Sequence, residues 1–305
     1  MTKKIGVIAD IHSNFTAFKT AVEYMLREGI DEFFLLGDYV SDTTDTAETM
    51  DYLYSLMDTY TVTALRGNRE DYMIGQRKVL RDESDAQRWV YNSASGNLLY
   101  TYERLKDKDI DFFESLPITF KYECDGYPAI TCCHGSPENT RELMQFDGTN
   151  TREWLDRIDT DYLIAGHTHY QGRLDYNNRH YFNTGALGIA INNPGLAQCL
   201  ILNGYDASEA GGARWEAEFL SIPYDVDYVV DALYTKGLME KGLWFISNNI
   251  FTLKTGEDYT PELVNTAIDL QAKATGAPVI WPHIDEQYFA EAAAILGIPN
   301  YNNRQ

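Results

Sequence analysis

Five short apolar runs in this chain end on an acid, an amide or a histidine. KIGVIA leads into Asp10 and His12, EFFLLG into Asp38, TVTALRG into Asn68, AITCC into His134, and DYLIAG into His167 and His169. Between the first three runs, residues 15–28 and 45–58 carry helical periodicity. The first of these places Phe15, Phe18, Val22 and Met25 on one face and has Gly29 as its stop. Strand and helix alternating in this way call for an α/β fold with largely parallel pairing. In an open α/β sheet the carboxyl ends of the strands lie along one edge, where ligands bind. The seven side chains are therefore expected to converge.

The rest of the chain surrounds this frame. Residues 69–115 turn helical and charged and read as an insert or cap, with Trp89, Leu98, Leu99 and Leu105 as inward positions. ITFKYE and AITCCHG flank the turn CDGYP as a hairpin, a short helix is expected over 150–158, and a second hairpin turns at Asn177-Asn178. LAQCLILN and RWEAEFLSIP read as late antiparallel strands. Beyond Pro223 the pattern becomes helical over 225–236, 260–275 and 285–296, which divides the chain into 1–223 and a C-terminal helical extension, 224–305.

Charge narrows the function. With 25 Lys and Arg against 46 Asp and Glu the net charge is −21, so extended nucleic acid and anionic lipid are disfavoured as partners. No stretch reaches the roughly 18 apolar residues of a membrane span, and the first strand begins too early for a signal peptide, so a cytoplasmic location is expected. Cys124, Cys132, Cys133 and Cys199 lack metal-ribbon or disulfide-framework spacing and read as small apolar fillers in strands.

Four of the six histidines fall at the strand ends. A lone histidine there would ordinarily be a hydrogen-bonded core residue, but four beside two carboxylates and an amide suggest a metal centre. Nitrogen and oxygen donors without thiolate suit Mn, Fe or Zn, and seven are too many for one ion. Two divalent or trivalent ions sharing one carboxylate is the natural arrangement.

The ordered series D-I-H-S-N, G-D-Y-V-S-D, G-N-R-E, C-H-G-S-P and G-H-T-H resembles the motifs of the calcineurin-like metallophosphoesterase superfamily, with its small bacterial phosphodiesterase-like branch the nearest likeness. The resemblance covers roughly residues 4 to 205. It implies a four-layer αββα sandwich of two mixed β-sheets flanked by helices. It also implies that Asp10, His12 and His169 hold one metal, that Asn68, His134 and His167 hold the other, and that Asp38 bridges them. The implied reaction is hydrolysis of a phosphodiester or small phosphorylated compound by a metal-bridging hydroxide. Asp38, His134 and Arg69 are the residues expected to carry catalysis, and Asn14, Asn68 and Arg69 to contact substrate.

The chain departs from that pattern at Arg69, where the family often has a histidine. An arginine cannot donate a proton at working pH, but its guanidinium can bind phosphate oxygens in pairs. Arg69 is therefore expected to stabilise transition-state charge and to favour good leaving groups; the plain alternative is an ion pair with Glu70 or a neighbouring acid. FNTGALG (182–188) replaces a Pro-Gly-Ser-like turn, leaving its contacts to the site open. Asn14 is expected to cap the first helix while facing the site. Asp42 is either an outer hydrogen-bond partner or a loop cap, Tyr39 and Tyr170 are either packing or an aromatic wall, and His180 and His283 read as structural or surface residues. Substrate choice is assigned to 69–115, 136–152 and 225–305. Two other classes fit less well: a silent metal-binding scaffold acting through protein partners, which filled ligand positions argue against, and a metal-dependent amide hydrolase, whose opening H-x-H is missing. Oligomeric state is left open.

Overall fold

The computed structural model describes residues 3–82 and 88–302; residues 83–87, within the expected insert, and the tail residues 303–305 lie outside them. β1 (Lys3–Ile8) pairs in parallel with β2 (Glu32–Leu35), and β2 with β3 (Thr61–Ala64). On the other side of β1, β9 (Leu196–Tyr205) and β10 (Arg214–Pro223) add antiparallel, so the first sheet runs β10-β9-β1-β2-β3. The second sheet, β4-β5-β6-β8-β7, contains β4 (Thr119–Tyr122), β5 (Ile130–Cys133), β6 (Tyr162–Ala165), β7 (Gly172–Tyr176) and β8 (Arg179–Asn183). Its β5, β6 and β8 run parallel. Asn177 and Asn178 turn the β7–β8 hairpin at φ of 50° and 61°, the left-handed backbone a two-residue hairpin demands.

Alternation of side chains along the strands builds the layers. Ile5, Val7 and Phe34 point between the sheets, where they meet Ile130, Ile164 and Phe182. Ile8, Phe33 and Leu35 point the other way, under α1 (Phe15–Arg27), α2 (Thr46–Thr59), α3 (Asn68–Arg81) and α5 (Asp107–Ser115). On the outer face of the second sheet, Leu163 and Tyr181 pack with Trp154 and Leu155 of α6 (Thr149–Arg157). Strands covered on both faces read as continuous apolar runs, which is why they stood out in the sequence. The fold is the expected four-layer αββα sandwich of two mixed sheets.

The last strand ends at Pro223, and α7 (Val226–Thr235), α8 (Met239–Thr255), α9 (Thr260–Thr275) and α10 (Glu286–Leu296) follow. Helix α8, kinked at Leu243, was not expected from the sequence; Gly242 and the run Ser247-Asn248-Asn249 interrupt its apolar periodicity. The extension packs on the insert. Tyr100 of α4 (Gly96–Tyr102) joins the apolar cluster of α7 and α8, and its hydroxyl donates to Lys236 O at 3.0 Å. Asn92 Nδ2 donates to Pro282 O at 2.8 Å, and Ser93 Oγ to Glu286 at 2.7 Å.

Cys132, Cys133 and Cys199 are buried and unpaired in β5 and β9, with thiols pushed up by burial, and Cys124 lies just past β4, also unpaired. Among the described residues, no helix is long and apolar enough to cross a membrane.

Candidate metal centre

The loops after β1 and β2 run side by side. Asp10 N donates to Gly37 O at 3.1 Å and His12 N to Asp38 O at 3.0 Å, while Leu187 N and Gly188 N donate to Ala9 O and Asp10 O. The 182–188 segment thus buttresses the loop that carries Asp10. Asp10, His12, Asp38, His167 and His169 all have φ between 51° and 65°. Left-handed backbone at a residue bearing Cβ costs about 1–2 kcal/mol each, and such strain collects where function holds it in place.

Two groups of donors result. Asp10, His12 and His169 form one, and Asp38, His134 and His167 the other. In the first, His12 Nε2 and His169 Nε2 lie 3.0 Å apart, with Asp10 Oδ1 3.3 Å from His169 Nε2. That buried Asp10 oxygen has no hydrogen-bond partner among the described residues. In the second, Asn68 Oδ1 sits 3.0 Å from His134 Nε2. Asp38 lies between the groups, Oδ1 3.4 Å from His134 Nε2 and Oδ2 4.0 Å from His12 Nε2. All seven expected ligands are together. An orphaned carboxylate oxygen amid converging imidazoles, with no thiolate, fits cations of the Mn, Fe or Zn kind. Gly67 and Gly166 permit the approach: a Cβ on either would fall 2.3 Å from Asp38 Oδ1 or 2.5 Å from Asp10 Oδ2.

Outer contacts orient these side chains. His134 Nδ1 pairs with Leu36 O at 2.8 Å. His12 Nδ1 lies 3.0 Å from Asp42 Oδ2, an oblique contact, and the same oxygen takes Arg69 Nη2 at 2.8 Å. Asp42 Oδ1 accepts from Asn97 of α4 at 2.6 Å, and Asp42 O from Asn249 of α8 at 3.0 Å. Asp42 is therefore the outer partner rather than a simple cap, and it ties the centre to the insert and the extension. Arg69 does pair with a neighbouring acid, as the plain alternative had it, but that acid is Asp42 and not Glu70. Asn14 caps α1 by accepting from Ala17 N at 3.0 Å, as expected, and donates to Gly188 O at 2.8 Å; it lies outside the lining of the cavity. Tyr39 is buried, donating to Leu35 O and Leu65 O, whereas the exposed Tyr170 lies on the cavity rim. His180 pairs with Asp175 and stacks on Tyr162, and His283 is exposed, both away from the centre.

Glu70 positions Asp38. Its carboxylate accepts the backbone N–H of Gly67, Asp38 and Tyr39, each at 2.8 Å. Burial and the neighbouring Asp38 push its pKa up to about 7. Glu70→Ala strands three buried donors, and a loss of about 3 kcal/mol or more is expected in denaturant unfolding.

Burial opposes a charge on His134, yet Asp38 and Asp10 raise its pKa to about 10. Burial likewise opposes ionisation of Asp38, but His134 and His12 hold it well below the usual carboxylate range. Burial and His134 depress His167 to about 4. A raised histidine pKa adds stability that is full below about 6.5 and is lost as pH rises toward 10. Metal-free protein should therefore lose stability from pH 7 to 10. Ligation needs neutral His134, so metal binding should release a proton and strengthen by up to ~10-fold per pH unit in this range. Calorimetry in buffers of different ionisation enthalpy reads the proton directly.

The centre opens into a cavity of about 610 Å³ whose walls include Arg69, Arg141, Phe245, Asp258, Thr260 and Glu262. The last four belong to α8, α9 and the loop between them. Arg69 was expected at the site, but nothing local in the sequence marks the other five, which lie within the stretches 136–152 and 225–305 expected to set substrate choice.

Comparison with known proteins agrees with this geometry. The chain is 21% identical over 253 residues to the uncharacterized protein MJ0912 of Methanocaldococcus jannaschii, covering 77% of this chain and 94% of that one. The hypothetical protein PH1004 of Pyrococcus horikoshii shares the fold with a TM-score of 0.66 at 20% identity, over 84% of this chain and 99% of its own. A metallophosphoesterase of Sphaerobacter thermophilus shares it with a TM-score of 0.62 at 20% identity, over 83% and 99%. The sequence model of the calcineurin-like phosphoesterases matches residues 3–171, more than half of the chain and all seven residues from Asp10 to His169 gathered in the two groups and at Asn68, so the chain belongs to the calcineurin-like phosphoesterase family.

Proposed function

We propose that this protein is a dinuclear metal-dependent phosphoesterase acting on a phosphodiester or another small phosphorylated compound. The observation that carries the reading is Asp38, whose two carboxylate oxygens face two separate histidine groups on the wall of one cavity. Two Mn, Fe or Zn ions, when bound there, supply Lewis acidity and an activated water near neutral pH. The chain supplies the rest. Asp10, His12 and His169 would hold one ion, Asn68, His134 and His167 the other, and Asp38 would be shared between them.

Arg69 supports the same reading. Its Nη2 is fixed by Asp42, while its buried Nε, 3.9 Å from Asp38 Oδ2, has no hydrogen-bond partner among the described residues. The Arg69 side chain is 17% exposed and lines the cavity, and a guanidinium held in place there suits a phosphate oxygen. The cavity wall carries Arg69 and Arg141 against Asp38, Asp42, Asp258 and Glu262, so the charge that draws a phosphate there would come from the bound ions together with Arg69. Four unpaired cysteines accord with a cytoplasmic setting, which is part of the proposal.

The test is hydrolysis of bis(p-nitrophenyl) phosphate by metal-stripped protein with Mn²⁺ restored, beside His134→Ala. Manganese-dependent turnover that the variant loses is expected. No turnover by folded protein holding two metal ions contradicts the hydrolase reading and favours a scaffold acting through partners.

A further inference from the structure

A second cavity of about 540 Å³ adjoins the first, and the two share Arg69, Tyr72, Arg141, Phe245 and Thr260. Its far walls are apolar and aromatic: Val79 of α3, Trp89, Leu98 of α4, Val264 of α9 and Trp281. At the junction Tyr72 carries two cations, Arg141 with its Cζ 4.6 Å from the ring centroid and Arg69 at 5.9 Å. The phosphate-type donors thus stand where an apolar annex meets the metal centre.

Gly75 gives the annex its room. It sits inside helix α3, where glycine is unfavourable, and lines the annex. A Cβ built there would meet nothing within 4 Å, so no packed neighbour requires the glycine. What a larger side chain would occupy is the annex itself.

We infer that the annex is the subsite for a bulky planar aromatic group, of nucleobase size, on the phosphate ester that the metal centre takes. This rests on the phosphoesterase reading and specifies its substrate. The volume lies within the roughly 300–1,000 Å³ of small-molecule sites, and Tyr72, Trp89, Phe245 and Trp281 offer faces and edges for stacking. Asp258 and Glu262 in the metal cavity disfavour further phosphates, so one phosphoryl group joined to one ring system fits better than a polyphosphate.

The experiment is calorimetric binding of naphthylphosphonate and methylphosphonate to metal-loaded protein, neither ligand having an ester bond to cleave. Wild type should bind the naphthyl compound ~10-fold or more tightly. Gly75→Leu should bring the ratio to within about 2-fold without lowering the melting temperature, since it removes a helix-interior glycine, while Gly75→Ala keeps most of the preference. Val264→Trp fills the annex from α9 and should act alike. A wild-type ratio near 1, or a ratio that survives both filling variants, overturns the assignment. Turnover of methyl p-nitrophenyl phosphate is followed in parallel: its absence with the binding ratio intact counts against the hydrolase reading alone.

Discussion

Asp38→Asn is expected to lower metal-dependent phosphodiester turnover by ~10³-fold or more while leaving the fold in place. The substitution keeps the shape of the side chain, and asparagine tolerates the left-handed backbone that Asp38 adopts at φ 54°. It also keeps an oxygen that can accept from Arg69 N, now 2.8 Å from Asp38 Oδ1. What it removes is the negative charge and one of two oxygens facing separate histidine groups. One metal site should therefore weaken sharply, so metal content at low added metal should fall by about one ion per chain. Turnover and metal content measured on the same preparation check both parts. Full activity with one ion would show that the bridge is dispensable.

Arg69→Ala should lower kcat by ~10²-fold, with metal content unchanged, because it deletes a preset charge from the cavity wall. Arg69→Lys should recover only part of this, since a lysine offers a point charge and no planar fork. The Arg69 backbone N–H bond to Asp38 survives either change, which separates the side chain's role from the ligand's placement. Asp42 would lose an ion-pair partner but keep Asn97 and the His12 contact. With arginine unable to protonate a departing alkoxide, the wild type should favour aryl over alkyl esters. Equal rates for the two leaving groups would contradict this role. A fall in metal content that accounts for all the lost activity would reduce Arg69 to a support for Asp42 and His12.

How far the sequence could be read depended on how local the signal was. The seven candidate metal ligands were legible as a group because buried parallel strands advertise themselves as apolar runs, and each candidate sits within a few residues of a run's end. The helix α1 was equally plain, with Phe18, Val22 and Met25 buried on its inner face and Gly29 just past its end at φ 78°. Helix α8 was not, since its Gly242 and paired asparagines read as breakers. Asn248 and Asn249 are instead consumed by side-chain bonds, the first to Asp258 and Thr260 and the second, buried, to Asp42 O. Asp42 itself could be assigned only once α3, α4 and α8 were placed around it. Arg141 and Phe245 carry no local mark at all, because their role comes from where the insert and the extension bring them.

The most direct test of a dinuclear centre is anomalous diffraction from crystals loaded with Mn²⁺. Two peaks are expected, one among Asp10, His12 and His169, the other among Asn68, His134 and His167, with Asp38 between them. A single peak at saturating metal, or density away from these side chains, would contradict the two-ion centre.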